Sequence, residues 1–195
     1  VTGPLLLGFD TSAAHCAAAL LRGDDCLASR AEPMKRGQAE RLMPLLEELL
    51  AEAGCTWADL DGIGVGTGPG NFTGIRISVS AARGLALALD IPAIGVDLFD
   101  VARVGAEAPL AAWLPAPREA AYLQHPGKSA EQVPMAEIKA LGDAAIGLPE
   151  PAEIGRRIAA LAAARLDAPG PAPAPVYMRP ADAAPPRDPA PRIVP

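Results

Sequence analysis

The chain has 195 residues, and its 23 Asp and Glu outweigh 17 Lys and Arg, leaving a net charge of −6. That balance argues against this chain being the main phosphate-binding surface of a nucleic-acid complex, where affinity comes from clustered Lys and Arg. Half of the residues are hydrophobic, enough at this length to fill a core in one domain or two small lobes. No apolar run approaches the roughly 20 residues that cross a bilayer. The opening residues Val1, Thr2, Gly3 and Pro4 have neither the basic segment nor the cleavage site of a secretory leader, so a cytoplasmic protein is expected.

In chain order, residues 5–9 form a short apolar run that reads as a buried strand, and Asp10, Thr11 and Ser12 turn out of it. Residues 16–21 and 26–31 flank a polar turn at 22–25 and read as a hairpin. Leu42, Leu45, Leu46, Leu49, Leu50 and Ala53 recur at helical spacing, with Gly54 placed to end the helix and Pro44 predicting a kink or a late start. A strand at 63–65, a glycine-rich turn, a helix over 73–89 and a strand at 91–96 complete an order β-β-β-α-β-α-β. This is an α/β (α+β) pattern of the ribonuclease H-like kind.

Beyond residue 97 the signals weaken. Residues 110–114, 120–124 and 144–148 read as short strands of a second, smaller lobe, and 152–166 as a helix with Ile154, Ile158, Leu161 and Ala162 on one face. From 168 to 195 there are ten prolines, which remove backbone donors and fix φ, so an extended tail is expected. One island, Val176 to Arg179, is apolar enough to dock on the body. The expected organisation is therefore a first lobe over 1–97, a reduced second lobe over 98–167 and a proline-rich tail over 168–195.

Cys16, Cys26 and Cys55 lack a C-x-x-C spacing and read as free buried thiols. With only His15 and His125 in the chain, a metal site is not expected. The densest signal is GTGPGNFTG at 66–74, where Gly66, Gly68 and Gly70 sit between a strand and a helix and Asn71 and Thr73 open that helix. Such a loop lets backbone N–H groups approach an anion. It serves equally as a tight strand-to-helix turn with no ligand. Asp10, Thr11 and Ser12 could hold a hydrated magnesium and phosphates, or simply cap the turn.

The second helix also carries Gly74, Ser78, Ala82 and Ala86 four residues apart, with Ile75 and Val79 beside them. A small-residue stripe lets helices approach closely, either against the chain's own sheet or against a partner. Met43, with Leu42, Leu46 and Leu50, widens the apolar arc of the first helix into a companion surface.

The runs LLGFDTS at 6–12, ERLMP at 40–44, GTGPGNFTGIR at 66–76, ARGLA at 82–86 and VYMRPADAA at 176–184 together resemble the bacterial TsaB (YeaZ) family. The resemblance implies an ASKHA-type fold of two ribonuclease H-like lobes. It further implies a role in forming threonylcarbamoyladenosine beside the anticodon of tRNAs reading ANN codons. In that family the chain pairs with TsaD, which carries the metal and the transfer chemistry, and the ATPase TsaE joins them; no cofactor is expected here. TsaD-like proteins carry a His-x-x-x-His pair on the first helix, where this chain has Gln38 and Leu42. Residues 115–122 depart from the family's usual turn in the second lobe. The resemblance thus implies a non-catalytic subunit, with a homodimer over the same helices as the alternative for the isolated chain. The competing reading is a small ASKHA-type ATPase or phosphotransferase using Asp10 and the 66–74 loop.

Overall fold

A computed structural model describes residues 2–178. The first sheet has the order β3-β2-β1-β4-β5. Strand β1 (Leu5–Asp10) pairs antiparallel with β2 (His15–Arg22), which pairs with β3 (Asp25–Pro33); on its other side β1 runs parallel to β4 (Gly62–Gly66), and β4 to β5 (Ala93–Val96). Every residue of β1 is buried, because the sheet is covered on both faces and neither pleat meets water. Leu5, Leu7 and Phe9 point to one side, where they meet Leu42, Leu45, Leu46 and Leu49 of α1 (Gln38–Glu52) and Ile75 and Val79 of α2 (Phe72–Leu89). Leu6, Ala19 and Leu21 point to the other, against Ile154, Ile158 and Ala159 of α5 (Pro151–Ala163).

Helix α5 lies unusually close to the sheet. A Cβ built on Gly8 would collide with the Gly155 carbonyl and stand 2.5 Å from the Ala159 nitrogen, and one on Gly155 would stand 2.6 Å from the Ala18 backbone. Bare backbone at both positions is what permits this contact.

The second sheet, ordered β8-β7-β6-β9, contains β6 (Ala111–Ala116), β7 (Ala120–Gln124), β8 (Glu131–Pro134) and β9 (Ala145–Ile146). It is joined to the first through α3 (Leu98–Arg103), while α4 (Met135–Leu141) covers its far side with a small core of Ala111, Ala121, Leu123, Val133 and Ile138. The mixed α/β class with two sheets agrees with the sequence reading.

Several local expectations need correction. Helix α1 starts at Gln38, earlier than its apolar repeat, and runs through Pro44. Pro44 deprives the Glu40 carbonyl of its helical donor, but both residues face solvent, where water can supply the missing bond. Gly54 does end this helix, at φ 65°, with the Cys55 amide donating to the Leu50 carbonyl at 2.9 Å. All three cysteines are free, yet only Cys16 is buried, and Cys26 is exposed.

Helix α2, with 18 residues and a mean hydropathy of 1.2, is long and apolar enough to cross a bilayer by length and composition alone. Its inner side packs on β4 and its first turn is built into the glycine loop, which is the setting of a core helix whose outer side is also apolar. Nor does packing stop at residue 167. Residues 168–178 form neither helix nor strand, but the Val176 amide donates to the Thr67 carbonyl at 2.8 Å, and Met178 packs against the core beneath α5. Arg179 and the remaining prolines of the tail, residues 179–195, lie outside the described residues.

Candidate functional site

The turn after β1 and the loop between β4 and α2 meet at the carboxyl ends of the two parallel central strands. Asp10 is fully buried. Its Oδ1 accepts from the Ser12 amide at 3.0 Å, the Ser12 hydroxyl at 2.8 Å and His15 Nε2 at 2.9 Å. Its Oδ2 has no hydrogen-bond partner among the described residues and lies against Gly66, where a Cβ would collide with it. Thr11 Oγ1 donates to the Gly74 carbonyl at 2.7 Å, and the Asn71 amide donates to the Ser12 carbonyl at 2.6 Å. Asn71 in turn caps α2, its Oδ1 accepting from the Gly74 amide at 2.9 Å.

The glycines follow from this contact. A Cβ on Gly70 would stand 2.5 Å from the Ser12 carbonyl oxygen, and one on Gly74 would overlap the Thr11 carbonyl oxygen. Gly68, at φ 96°, faces Ile75 and the C-terminal segment, with the Val176 carbonyl 3.1 Å from its Cβ position. The structure thus brings Asp10, Thr11 and Ser12 together with Gly66, Gly70, Asn71 and Gly74, but as a backbone-on-backbone joint. The amides of Asn71, Gly74 and Ile75 and the hydroxyls of Thr11 and Ser12 already have internal acceptors. These donors are engaged in the joint itself and are not free to hold a phosphate.

Beside this joint a cleft of about 780 Å³ opens between the first turns of α1 and α2 and the β6–β7 hairpin. Ser12, Gly70 and Thr73 line one side, Pro115, Pro117 and Tyr122 the other, and Lys35 and Arg36 the mouth. Neither Lys35 nor Arg36 forms an ion pair among the described residues. These two cations precede the apolar repeat of α1 and carry no motif, so the sequence offers no signal for them. His15 is the other residue that sequence reasoning missed, since its place beside Asp10 depends on the register of β2.

The expected helix-face residues fall mostly inward. Leu42, Leu46, Leu50, Gly74, Ile75, Ser78, Val79 and Ala82 are buried, while Met43 and Ala86 are half-buried. Ser78 donates its hydroxyl to carbonyls of its own helix. Here the stripe of Gly74, Ser78 and Ala82 holds α2 to the chain's own sheet. A partner touching these helices meets their outer sides instead.

At the metal-pair positions of the first helix, Gln38 donates to the carbonyls of Ala13 and Met34 at 3.4 and 3.3 Å, and Leu42 is in the core. No group of three His, Cys, Asp or Glu side chains converges among the described residues. The nearby Cys16 thiol is pushed up to about 11, chiefly by burial and secondarily by Glu32, so it is a poor nucleophile at neutral pH.

A family model described as TsaD, tRNA N6-adenosine threonylcarbamoyltransferase, matches residues 31–154. The tRNA threonylcarbamoyladenosine biosynthesis protein TsaB of Escherichia coli K12 is 34% identical over 101 residues, 52% of this chain and 43% of that one. The TsaB of Bacillus subtilis 168 is 40% identical over 95 residues, covering 49% and 42%. Among solved structures, YeaZ from Pseudomonas aeruginosa superposes with a TM-score of 0.68 at 28% identity, covering 90% of this chain and all of that one. The chain belongs to the TsaD-type family, on its TsaB (YeaZ) branch. It spans less than half the length of the curated TsaB proteins it matches. The likeness to YeaZ extends over both sheets, so the TsaB branch is recognisable in the fold as well as in the motifs.

Proposed function

We propose that this chain is a non-catalytic, cytoplasmic pairing subunit in the formation of threonylcarbamoyladenosine on tRNAs reading ANN codons, binding TsaD through the outer sides of α1 and α2 and providing the platform for TsaE. The observation that carries this reading is the outer side of α2. Ser80, Gly84, Leu87 and Ala88 are exposed there, Leu87 to 85%, and Ile77, Ala81 and Leu85 are half-buried on the flank toward α1. A Cβ on Gly84 would meet nothing within 4 Å. A smooth apolar helix face of this kind, left open, admits the helices of a second protein at close range. The missing imidazoles at Gln38 and Leu42 support a subunit that leaves the transfer chemistry to its partner.

Gly84→Arg tests the pairing. The new side chain enters open space in the monomer but would bury an unpaired charge in the complex, which costs at least about a hundredfold in affinity. The variant is expected to fold, to lose co-purification with TsaD, and to leave tRNA unmodified in a strain depleted of the native subunit. Retained pairing would sink the assignment. Ser78→Arg would not serve, because Ser78 is fully buried and the variant would unfold.

The cleft with Lys35 and Arg36 at its mouth favours the second reading, a small ATPase or phosphotransferase using Asp10 and the 66–74 loop. The engagement of Thr11, Ser12, Asn71 and Gly74 in their own joint opposes it. Calorimetry of the isolated chain with ATP and magnesium separates the two: tight binding with turnover would replace the pairing reading, and no heat is the expected result.

A further inference from the structure

All four large hydrophobic residues exposed among the described residues lie on α2 or on the segment strapped against it: Phe72 at 36%, Leu87 at 85%, Val176 at 38% and Tyr177 at 40%. Phe72, Arg76, Ser80, Arg83 and Leu87 follow at helical spacing along one edge of α2. The strap is fastened to the glycine loop and to that edge. The Val176 amide donates to the Thr67 carbonyl at 2.8 Å, and Arg83 Nη1 donates to the Pro173 carbonyl at 3.5 Å.

Arg76 is the centre of this arrangement. Its Nε donates to the Tyr177 hydroxyl at 2.7 Å, its guanidinium carbon stands 4.0 Å from the Phe72 ring centre and 5.7 Å from that of Tyr177, and the two rings are 4.9 Å apart. The guanidinium thus lies over the Phe72 ring and is tied through Nε to the Tyr177 hydroxyl, which restricts its rotamer freedom. It forms no ion pair with a carboxylate among the described residues. An exposed arginine fixed in this way presents its two terminal nitrogens as a preorganised fork, the geometry that a carboxylate matches with two parallel hydrogen bonds.

We propose that Phe72, Arg76 and Tyr177 form an anchor at the end of the pairing face that takes a carboxylate side chain of the partner protein, so that the C-terminal strap belongs to the binding surface. The inference rests on the pairing reading above and names the chemistry of one of its contacts. Charge distribution favours a protein carboxylate over an RNA phosphate. Tracking a phosphate backbone takes several free cations, whereas Arg83, the other cation on this edge, is turned onto Pro173 in a chain of net charge −6. An arginine laid over one aromatic ring and hydrogen-bonded to a second, bordered by an apolar helix face, has the composition of a protein–protein hot spot.

The test is calorimetric titration of the full chain into TsaD without RNA. Arg76→Gln is expected to weaken binding at least about tenfold, and Tyr177→Ala to act in the same direction, with thermal midpoints close to the native one. Arg76→Lys keeps the charge but not the fork and is expected to stay weak; full rescue by lysine would overturn the two-bond carboxylate contact. If Arg76→Gln binds like the native chain while Gly84→Arg does not bind, the anchor is wrong and the pairing reading stands. If the native chain itself does not bind TsaD, both fall. If Arg76→Gln leaves the pair intact but lowers the affinity of the complex for tRNA, the arginine serves a phosphate and the proposal is overturned.

Discussion

The two sheets of this molecule are held together by different means. The first packs Leu5, Leu7, Phe9, Ile63 and Val65 against two long helices and lays its other face on α5 with bare backbone at Gly8 and Gly155. The second closes over only five buried residues on the side covered by α4, a seven-residue helix, and has a two-residue strand at one edge. Tight joints surrounded by backbone belong to the first sheet, and contacts mediated by movable side chains to the second. The glycine loop, the cleft floor and the proposed pairing helices all hang on the first, where the geometry has least freedom to drift.

Glycine substitutions test that difference most severely. Gly155→Ala places a methyl 2.6–2.9 Å from backbone atoms of Ala18 and Ala19, which cannot move without breaking the pairing of β2. A loss of about 3 kcal/mol or more is expected in urea unfolding. Just after the edge strand of the second sheet, Gly147→Ala meets the half-buried Trp113 ring at 3.0–3.2 Å, a side chain that can swing aside, so about 1 kcal/mol or less is expected. Equal losses at the two sites would erase the distinction.

Cavity-forming substitutions give a smaller contrast. Leu46 is fully buried between α1 and the sheet, and Leu46→Ala should cost about 3–5 kcal/mol in the same assay. Ile138, 6% exposed under α4, should cost nearer about 2 kcal/mol on replacement by alanine, because a short helix at the surface can settle into the space. The reverse order would mean that the second sheet carries the stability.

This division also explains how much of the molecule the sequence makes legible. Strand β1 and helices α1 and α2 are long enough, and buried enough, for their periods to show, and the 66–74 motif marks a joint because only glycine fits at 70 and 74. Helix α3, with six residues, completes fewer than two turns and shows no repeat, and β8 has Glu131, Gln132 and Val133 ahead of a proline and reads as loop. Both α3 and β8 therefore leave no periodic signal in the sequence. The stripe of Gly74, Ser78 and Ala82 illustrates a different limit. Periodicity identifies which residues share a side of a helix, but whether that side meets the chain's own sheet or a partner is decided by tertiary packing. The outer side, with Gly84 in open space, emerges only once the inner one is assigned.

The smallest expected effect concerns protons, and it takes opposite signs at two carboxylates. Glu32, at the edge strand β3, receives two bonds from Arg41 at 2.6 and 2.7 Å, which hold its carboxyl below the usual range. Its contribution to stability is therefore present above the unfolded carboxylate value and disappears as pH falls through the folded one. Asp97, capping α3 through the Phe99 amide at 2.7 Å, is pushed up chiefly by burial, so its ionisation opposes folding and stability is lost as pH rises through its folded value. Thermal midpoints between pH 3 and pH 7 distinguish the two. Glu32→Gln should flatten the acid side of the curve by at most a few degrees, since both partners of the ion pair are about a third exposed or less and water screens part of the attraction. Asp97→Asn keeps a capping oxygen while removing the charge, and should hold or raise the midpoint at pH 7 relative to the native chain. A lowered midpoint for Asp97→Asn at pH 7 would show that its ionised form strengthens the joint between the two sheets, and burial would then not be the dominant influence on that carboxyl.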